Sequence, residues 1–276
     1  MKEGRHSPLH HAALSGQPSR VELLLASGEC IKARDTNENT PLHLAAWKGH
    51  TGVVEQLLRH SASTEAHHRY MDAPWHFGPT WEEILDWDDA SIQARNQFLN
   101  TPLHMAVWNG HTAVVELLLR NGAPTEAHNQ TGYTPLHLAA SKGHTNLVEL
   151  LLGEYASIEA LDEDRNTPLH LAARSCHIST VELLLKKGAS TTARSRSGNT
   201  SLHLAALNGH TCIVELLLKR DTLIEPVNLE GHTPLCLAAQ KGYTSVVELL
   251  QGGGALMEVD RMMHSTYFLQ HNPLLM

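Results

Sequence analysis

The sequence has few cysteines and few aromatic residues. Aromatic residues make up 5% of its 276 positions, and the four cysteines are Cys30, Cys176, Cys212 and Cys236. Disulfide frameworks and zinc sites use cysteines at paired spacings, and these four show none. A reduced chain without disulfides is therefore expected.

Long apolar runs and long basic runs are also absent. No stretch approaches the roughly 18 consecutive apolar residues of a membrane-spanning helix, and the N-terminal MKEGRHS has no apolar run typical of a secretory signal. The net charge is -8, whereas binding to phosphate backbones needs a concentrated basic face. We therefore expect a cytoplasmic or nuclear protein that binds no nucleic acid and does not insert into a membrane.

The sequence repeats itself at a fixed period. The openings of successive copies lie 33 residues apart, both at Ser7 and Thr40 and at Thr101, Thr134, Thr167, Thr200 and Thr233. A fixed period of this length is typical of a protein built from stacked structural repeats.

The copy that begins at Thr101 shows how one repeat is built. Thr101 suits a helix N-cap, and Pro102 suits the first helical position, where its missing N–H has no helical partner. Gly110 ends this short helix in a left-handed conformation, Thr112 caps a second helix, and Gly122 ends the second helix. A polar loop completes the repeat. Neither helix buries its apolar face alone, so the repeats must stack on one another.

These strings resemble a known family. TPLHLAA at Thr40, Thr134 and Thr167, followed by second halves of the GHT-x-VVELLL type, is similar to the ankyrin repeat over roughly residues 7–259. The resemblance implies an all-α solenoid of about eight helix-turn-helix units. It also implies a concave face lined by the short first helices and the projecting turns.

The third unit is irregular. Thr40 and Thr101 are 61 residues apart where two full repeats need 66, so we interpret residues 73–100 as a degenerate repeat and a weak joint. Within it, Thr80 and Glu83 form a capping box at the start of an acidic helix that extends to Asp89. The predicted division is 1–72 for repeats 1 and 2, 73–100 for the degenerate repeat, 101–260 for repeats 4 to 8, and 261–276 for a C-terminal tail. Ser61 replaces the second glycine of repeat 2, where a left-handed cap would cost about 1 kcal/mol.

Histidine is abundant, with 21 copies, but most copies belong to the repeat. Seven lie in the TPLH motif and five in the GH turn, and we expect each TPLH histidine to hydrogen-bond its capping threonine and a loop backbone. His67, His68 and His128 lie on predicted turns, where nothing fixes a third metal ligand. No catalytic triad and no phosphate-binding loop departs from the repeat. We therefore expect no enzyme activity, no metal and no cofactor.

The positions that vary within the constant frame are the candidates for binding a partner. They follow the alanine pair of each first helix or lie in the turns. The predicted partner-binding residues are Trp47, Lys48, Tyr70, Phe98, Trp108, Asn109, Tyr133, Ser141, Lys142, Arg174, Leu207, Asn208, Gln240 and Lys241. Trp47 and Trp108 would either anchor a partner or fold over the gap left by the degenerate repeat. The acidic turn Asp162-Glu163-Asp164 would either attract a basic partner or form a solvated face.

The sequence predicts a non-catalytic scaffold or adaptor, a monomeric array whose groove and turn tips bind a partner protein. One alternative is a substrate-recognition subunit, or a fragment, of a larger assembly such as a ubiquitin ligase or a channel. Another is an enzyme or a metal-binding protein.

Overall fold

The computed structural model describes residues 6–71, 92–220 and 224–253, and side chains outside residues 62–71. These ranges form seven helix pairs and contain no β-strand. The first helices are α1 (Pro8–Leu14), α3 (Pro41–Lys48), α5 (Pro102–Trp108), α7 (Pro135–Lys142), α9 (Pro168–Arg174), α11 (Ser201–Leu207) and α13 (Pro234–Lys241). The second helices are α2 (Pro18–Ala26), α4 (Thr51–Met71), α6 (Thr112–Arg120), α8 (Thr145–Gly153), α10 (Ile178–Lys186), α12 (Thr211–Leu218) and α14 (Thr244–Gly252). The all-α prediction is confirmed.

The chain forms two compact units. Unit 1 comprises Met1–Ala139 and Asn146–Ser157, and unit 2 comprises Ala140–Thr145 and Ile158–Met276. Both units use the same repeat, and their surfaces are described separately below. The predicted division at residues 73 and 101 stays a prediction.

The first helices begin and end as their sequence predicts. At α3, Thr40 has an extended backbone (φ -85°, ψ 165°), its hydroxyl accepts the N–H of His43, and Pro41 occupies the first turn. Gly49 follows the helix with φ 76° and ψ 23°, a left-handed conformation that costs a non-glycine residue about 1–2 kcal/mol. The second helix differs slightly from the prediction, because the N-cap of α6 is His111 and Thr112 is already helical.

The core lies between stacked helices. On α3, Leu42, Ala45 and Ala46 are buried, and small alanines allow close approach of the next repeat. On α6, Val114 and Leu118 are buried on one side, which is the apolar stripe of an amphipathic helix. Each buried leucine contributes roughly 1.5–3 kcal/mol of transfer free energy, so stability depends on contacts between repeats.

Helix α4 differs most from the prediction. It has 21 residues, whereas α6 has 9. The helix continues through Ser61, which is 8% exposed, so the predicted left-handed cap at Ser61 is wrong. Serine has no preference for positive φ, and nothing at this position forces the helix to stop. Tyr70, His67 and His68, predicted to lie on turns, instead belong to α4, and their side chains lie outside the described residues.

Repeat 2 stacks directly on the repeat that begins at Thr101. The His43 ring reaches the carbonyl of Asn100, 57 positions later, whereas the equivalent bond from His104 to Tyr133 spans 29 positions. The difference, 57 minus 29, is 28 residues. Helix α3 packs against α5, and the loop residues Ile92 and Asn96 are buried in this stack.

This stacking changes the interpretation of the third unit. Residues 72–91, including Thr80, Glu83 and Asp89 of the predicted acidic helix, lie outside the described residues, as does the tail 261–276. Residues 92–100 form the loop that joins repeat 2 to Thr101 rather than the end of a separate stacked unit. The extra residues are therefore an insertion after the second helix of repeat 2.

Candidate functional site

The TPLH histidines link consecutive repeats, as the sequence predicts. His43 Nδ1 accepts the N–H of Thr40 at 3.2 Å and its hydroxyl at 2.9 Å. His43 Nε2 then donates to the carbonyl of Asn100 at 2.9 Å. The same bond joins His170 to Asn199 in unit 2 at 3.0 Å. The donors aimed at Nδ1 require the neutral tautomer with its proton on Nε2.

Burial keeps three of these rings neutral. Desolvation lowers the pKa of His43, His104 and His203 to about 4, although the backbone carbonyl that each ring contacts acts in the opposite direction. Each of the three rings is at most 1% exposed. We call these residues the three buried histidines. Their place in the frame argues for a structural role and against general acid–base catalysis near neutral pH.

Cys236 replaces the TPLH histidine in the last described pair. Its Sγ accepts the Thr233 hydroxyl at 3.2 Å, so the capping interaction survives. A thiol is too short to reach a following loop, and the described chain presents none there. The substitution thus removes only the bond between repeats.

The GH-turn histidines have a role that the sequence did not reveal. The ring of His111 donates from Nε2 to the carbonyl of Trp47 at 3.0 Å. It also lies where a Cβ on Gly49 would be 2.6 Å from Nδ1. In unit 2, His177 and His210 bond in the same way to the carbonyls of Ser141 and Arg174, at 3.0 and 2.8 Å. The glycine therefore provides the space that the next repeat's ring occupies.

The turns are joined by asparagine side chains. Asn96 Oδ1 accepts the N–H groups of Phe98 and Asn100, each at 3.0 Å, while its Nδ2 donates to Asn39 Oδ1 at 2.9 Å. Asn129 repeats this pattern toward Asn100 at 3.0 Å. The recurring Asp or Asn five residues before each opening threonine is the sequence signal for this ladder. Such side chains favour turns by bonding backbone two residues on.

Arginines fasten the turns further. Arg34 donates to the carbonyl of Arg95 at 2.6 Å, Arg95 donates to that of His128 at 3.0 Å, and Arg194 in unit 2 donates to Val227 at 2.7 Å. Each of these arginines follows an alanine in the same loop position. These cations act within the frame, which leaves fewer cations on the turns for a partner.

In unit 1, the structure exposes the predicted aromatic residues. Trp47 is 39% exposed, Trp108 is 48% exposed and Phe98 is 51% exposed. The two tryptophans occupy the same position on the adjacent helices α3 and α5. Lys48 Nζ lies 4.3 Å from the centroid of the Trp47 ring, a cation–π geometry. Because α3 and α5 are neighbours, no missing helix lies between them for the tryptophans to cover.

Other predicted residues in unit 1 are engaged within the frame. Tyr133 is half-buried, its ring stacks on His137 with centroids 5.8 Å apart, and its carbonyl accepts His104 Nε2. Asn109 donates from Nδ2 to the carbonyl of Met105 at 2.9 Å. Tyr70 has no described side chain. The aromatic surface is therefore defined here as Trp47, Trp108 and Phe98.

In unit 2, the predicted residues form a polar row. Lys142, Arg174, Gln240 and Lys241 are exposed at the C-terminal ends of first helices. Ser141 and Leu207 are half-buried, and Asn208 is exposed with its Nδ2 donating to Leu204 at 2.8 Å. This row has the same place in the repeat as the tryptophans but different chemistry.

The acidic turn is mostly structural. Asp162 is 6% exposed and accepts the N–H of Asn166 at 2.7 Å. Asp164 lies 4.0 Å from the guanidinium of Arg196, which also donates to the carbonyl of Glu163. Of the three acidic side chains, only that of Glu163 projects without a bond of this kind, which favours the solvated face over a site for a basic partner.

Within the described ranges, no group of three or more His, Cys, Asp or Glu side chains is placed to hold a metal ion. No described helix is long and apolar enough to cross a bilayer. An open groove in unit 2 lies between α12 and α14, lined by residues that include Leu218, Lys219 and Glu248. None of the predicted partner-binding residues lines this groove.

Comparison with known proteins agrees with the geometry. The family model described as ankyrin repeats (3 copies) matches residues 1–68, 103–195 and 191–260, and a second ankyrin-repeat model (many copies) matches 80–119. No curated protein matches the chain. The crystal structure of the human ASB11 ankyrin repeat domain is similar, with 26% identity and a TM-score of 0.73, over 91% of this chain and 99% of that one. The chain belongs to the ankyrin-repeat family.

Proposed function

We propose that this protein is a non-catalytic scaffold or adaptor that binds a partner protein through the exposed residues of its first helices and turns. Ankyrin repeats are in general protein–protein interaction modules. The observation that carries the proposal is the aromatic surface of unit 1, where Trp47, Trp108 and Phe98 are each 39–51% exposed. Aromatic side chains on a rigid surface are typical binding hot spots.

The frame supports this proposal energetically. The rings of His111 and His43 tie α3 to the neighbouring repeat through backbone carbonyls at 3.0 and 2.9 Å. These bonds hold the helices that carry Trp47 and Trp108 in one arrangement before binding. A preorganised surface loses little conformational entropy when a partner docks.

The test begins with a partner identified by cross-linking to the wild-type chain and then purified. Calorimetry should show that Trp47→Ala combined with Trp108→Ala weakens binding more than tenfold. The matched control is Tyr155→Ala, because Tyr155 is an aromatic residue of unit 1 that is 93% exposed and lies away from the first helices. It should change affinity less than about twofold.

Two results would contradict the proposal. An unchanged affinity in the double variant would show that the tryptophans are not anchors. An equal loss in Tyr155→Ala would show that any exposed aromatic residue contributes non-specifically. Circular dichroism of each variant must match the wild type, so that loss of binding is not loss of folding.

A further inference from the structure

The first helices of unit 2 carry cations at their exposed ends. Lys142, Arg174 and Lys241 occupy this row on α7, α9 and α13, and all three are exposed. Helix α11 places Asn208 at the corresponding point. Arg174 contributes its backbone carbonyl to His210, so its guanidinium is not required by that bond.

The carboxylates of unit 2 lie elsewhere. Glu182, Glu215 and Glu248 belong to the second helices, and Glu215 pairs with Lys219 at 2.8 Å. Glu163 belongs to a turn and Glu159 accepts the N–H of Ser190 at 2.7 Å. In the described part of unit 2, no first helix contains an Asp or Glu. The cationic row is therefore not neutralised by acidic residues of its own helices.

A cation at a helix C-terminus also interacts favourably with the helix dipole. That effect does not require a cation here, because Asn109 and Asn208 occupy the same position in other repeats. The whole chain has a net charge of -8, so an acidic ligand is repelled at long range. An acidic ligand that binds must therefore be held by a local concentration of positive charge.

We propose that the row formed by Lys142, Arg174 and Lys241 binds an acidic, extended segment of a partner protein. The inference rests on the proposed function, since it names the chemistry of one partner segment. Packed helices lie about 8–10 Å apart, and an extended chain advances about 3.3–3.6 Å per residue. Successive repeats thus correspond to about three residues of the segment. Because α11 lacks a cation, carboxylates about three and then six residues apart fit the row.

The probe is a fluorescein-labelled Gly/Ser peptide of about twelve residues with three glutamates at that spacing. Fluorescence anisotropy measures its binding to the full chain, and the glutamine version and an isomer with adjacent glutamates are the comparison peptides. The test variant is Arg174→Glu with Lys241→Glu. The matched control is Lys186→Glu with Arg220→Glu, because it changes the net charge equally at exposed residues outside the row.

We expect the spaced glutamate peptide to bind more tightly than both comparison peptides, and more weakly as salt increases. The test variant should weaken binding at least tenfold, and the control less than about twofold. Equal binding of the glutamine peptide, or equal loss in the control variant, would overturn the proposal. Tighter binding of a twelve-nucleotide oligothymidylate would also overturn it, because the row would then recognise phosphate rather than carboxylate.

The proposed function and this inference fail separately. Trp47→Ala with Trp108→Ala should leave binding of the glutamate peptide unchanged, because both tryptophans belong to unit 1. Loss of partner binding in that variant, together with failure of the peptide to bind, would leave the adaptor function intact and exclude the acidic segment.

Discussion

Deleting the insertion after repeat 2 tests whether the repeats on either side of it are true neighbours. Removing residues 64–91 takes out 28 residues and leaves Thr40 and Thr101 33 positions apart. The new junction reads HSASIQARN, which corresponds to KGASTTARS in the repeat that begins at Thr167. The bonds from His43 to Asn100 and from Asn96 to Asn39, each 2.9 Å, do not involve the deleted segment.

The expected change in stability is small and follows from two opposing effects. The connection between Ser61 and Ile92 shortens from residues 62–91 to two residues, which reduces the entropic cost of closing it by about 2 kcal/mol. Against this, α4 must end near Ser61, and a left-handed serine costs about 1 kcal/mol. The net effect is about 1 kcal/mol in favour of the folded state, or an increase in Tm of roughly 2–4 °C.

Thermal unfolding followed by circular dichroism measures this change. A second deletion, 64–96, is the control, since it also removes the buried Ile92, Ala94 and Asn96. We expect the first variant to unfold at or slightly above the wild-type Tm and the second to unfold well below it. If deletion of 64–91 alone lowers the Tm by more than about 5 °C, the segment contributes to the stack and direct neighbour packing of α3 and α5 is not the reason for their stability.

Three further predictions follow from the frame. The folded-state pKa of the three buried histidines, about 4, is below the unfolded value, so stability is full above pH 6.5 and falls as the pH decreases toward 4; urea titrations should show a loss of roughly 2 kcal/mol per histidine at pH 5 relative to pH 7, and a flat profile would contradict it. Ser201→Pro should raise the free energy of unfolding by about 1 kcal/mol, because Ser201 Oγ is buried without a hydrogen-bond partner and proline suits the first helical position; a lower Tm in differential scanning calorimetry would refute this. Gly49→Ala should destabilise by about 1 kcal/mol more than Gly242→Ala, because both glycines have φ 76° and ψ 23° but only the Cβ at Gly49 would meet a ring, that of His111; equal losses in urea denaturation would show that backbone strain alone accounts for the effect.

Much of the fold could be predicted because the repeat states it many times. Threonine, proline and glycine punctuate each copy, and each has a local physical effect that needs no tertiary context. The TPLH histidine was predictable for the same reason, since its constant place beside the capping threonine in seven copies indicates a constant bond. Exposure of Trp47 and Trp108 was predicted from their variability within a constant frame.

The rest depends on contacts between residues far apart in sequence. The spacing of Thr40 and Thr101 suggested a shortened repeat, yet the pairing of His43 with Asn100 shows an insertion beside a normal junction. Spacing alone cannot distinguish a repeat that lost residues from a junction that gained them. Similarly, the need for glycine at Gly49 comes from the His111 ring of the next repeat, not only from its own left-handed backbone.

The way the frame is bonded explains why one position carries such different side chains. His50, His111, His177 and His210 donate to the carbonyls of Leu14, Trp47, Ser141 and Arg174, at 2.8–3.1 Å. Every residue has a carbonyl, so this bond places no requirement on the side chain that the residue bears. Leucine, tryptophan, serine and arginine are thus interchangeable for the stack. Their identity is left to selection by whatever contacts them, and for that reason the proposals for both units concern this row and not the buried histidines.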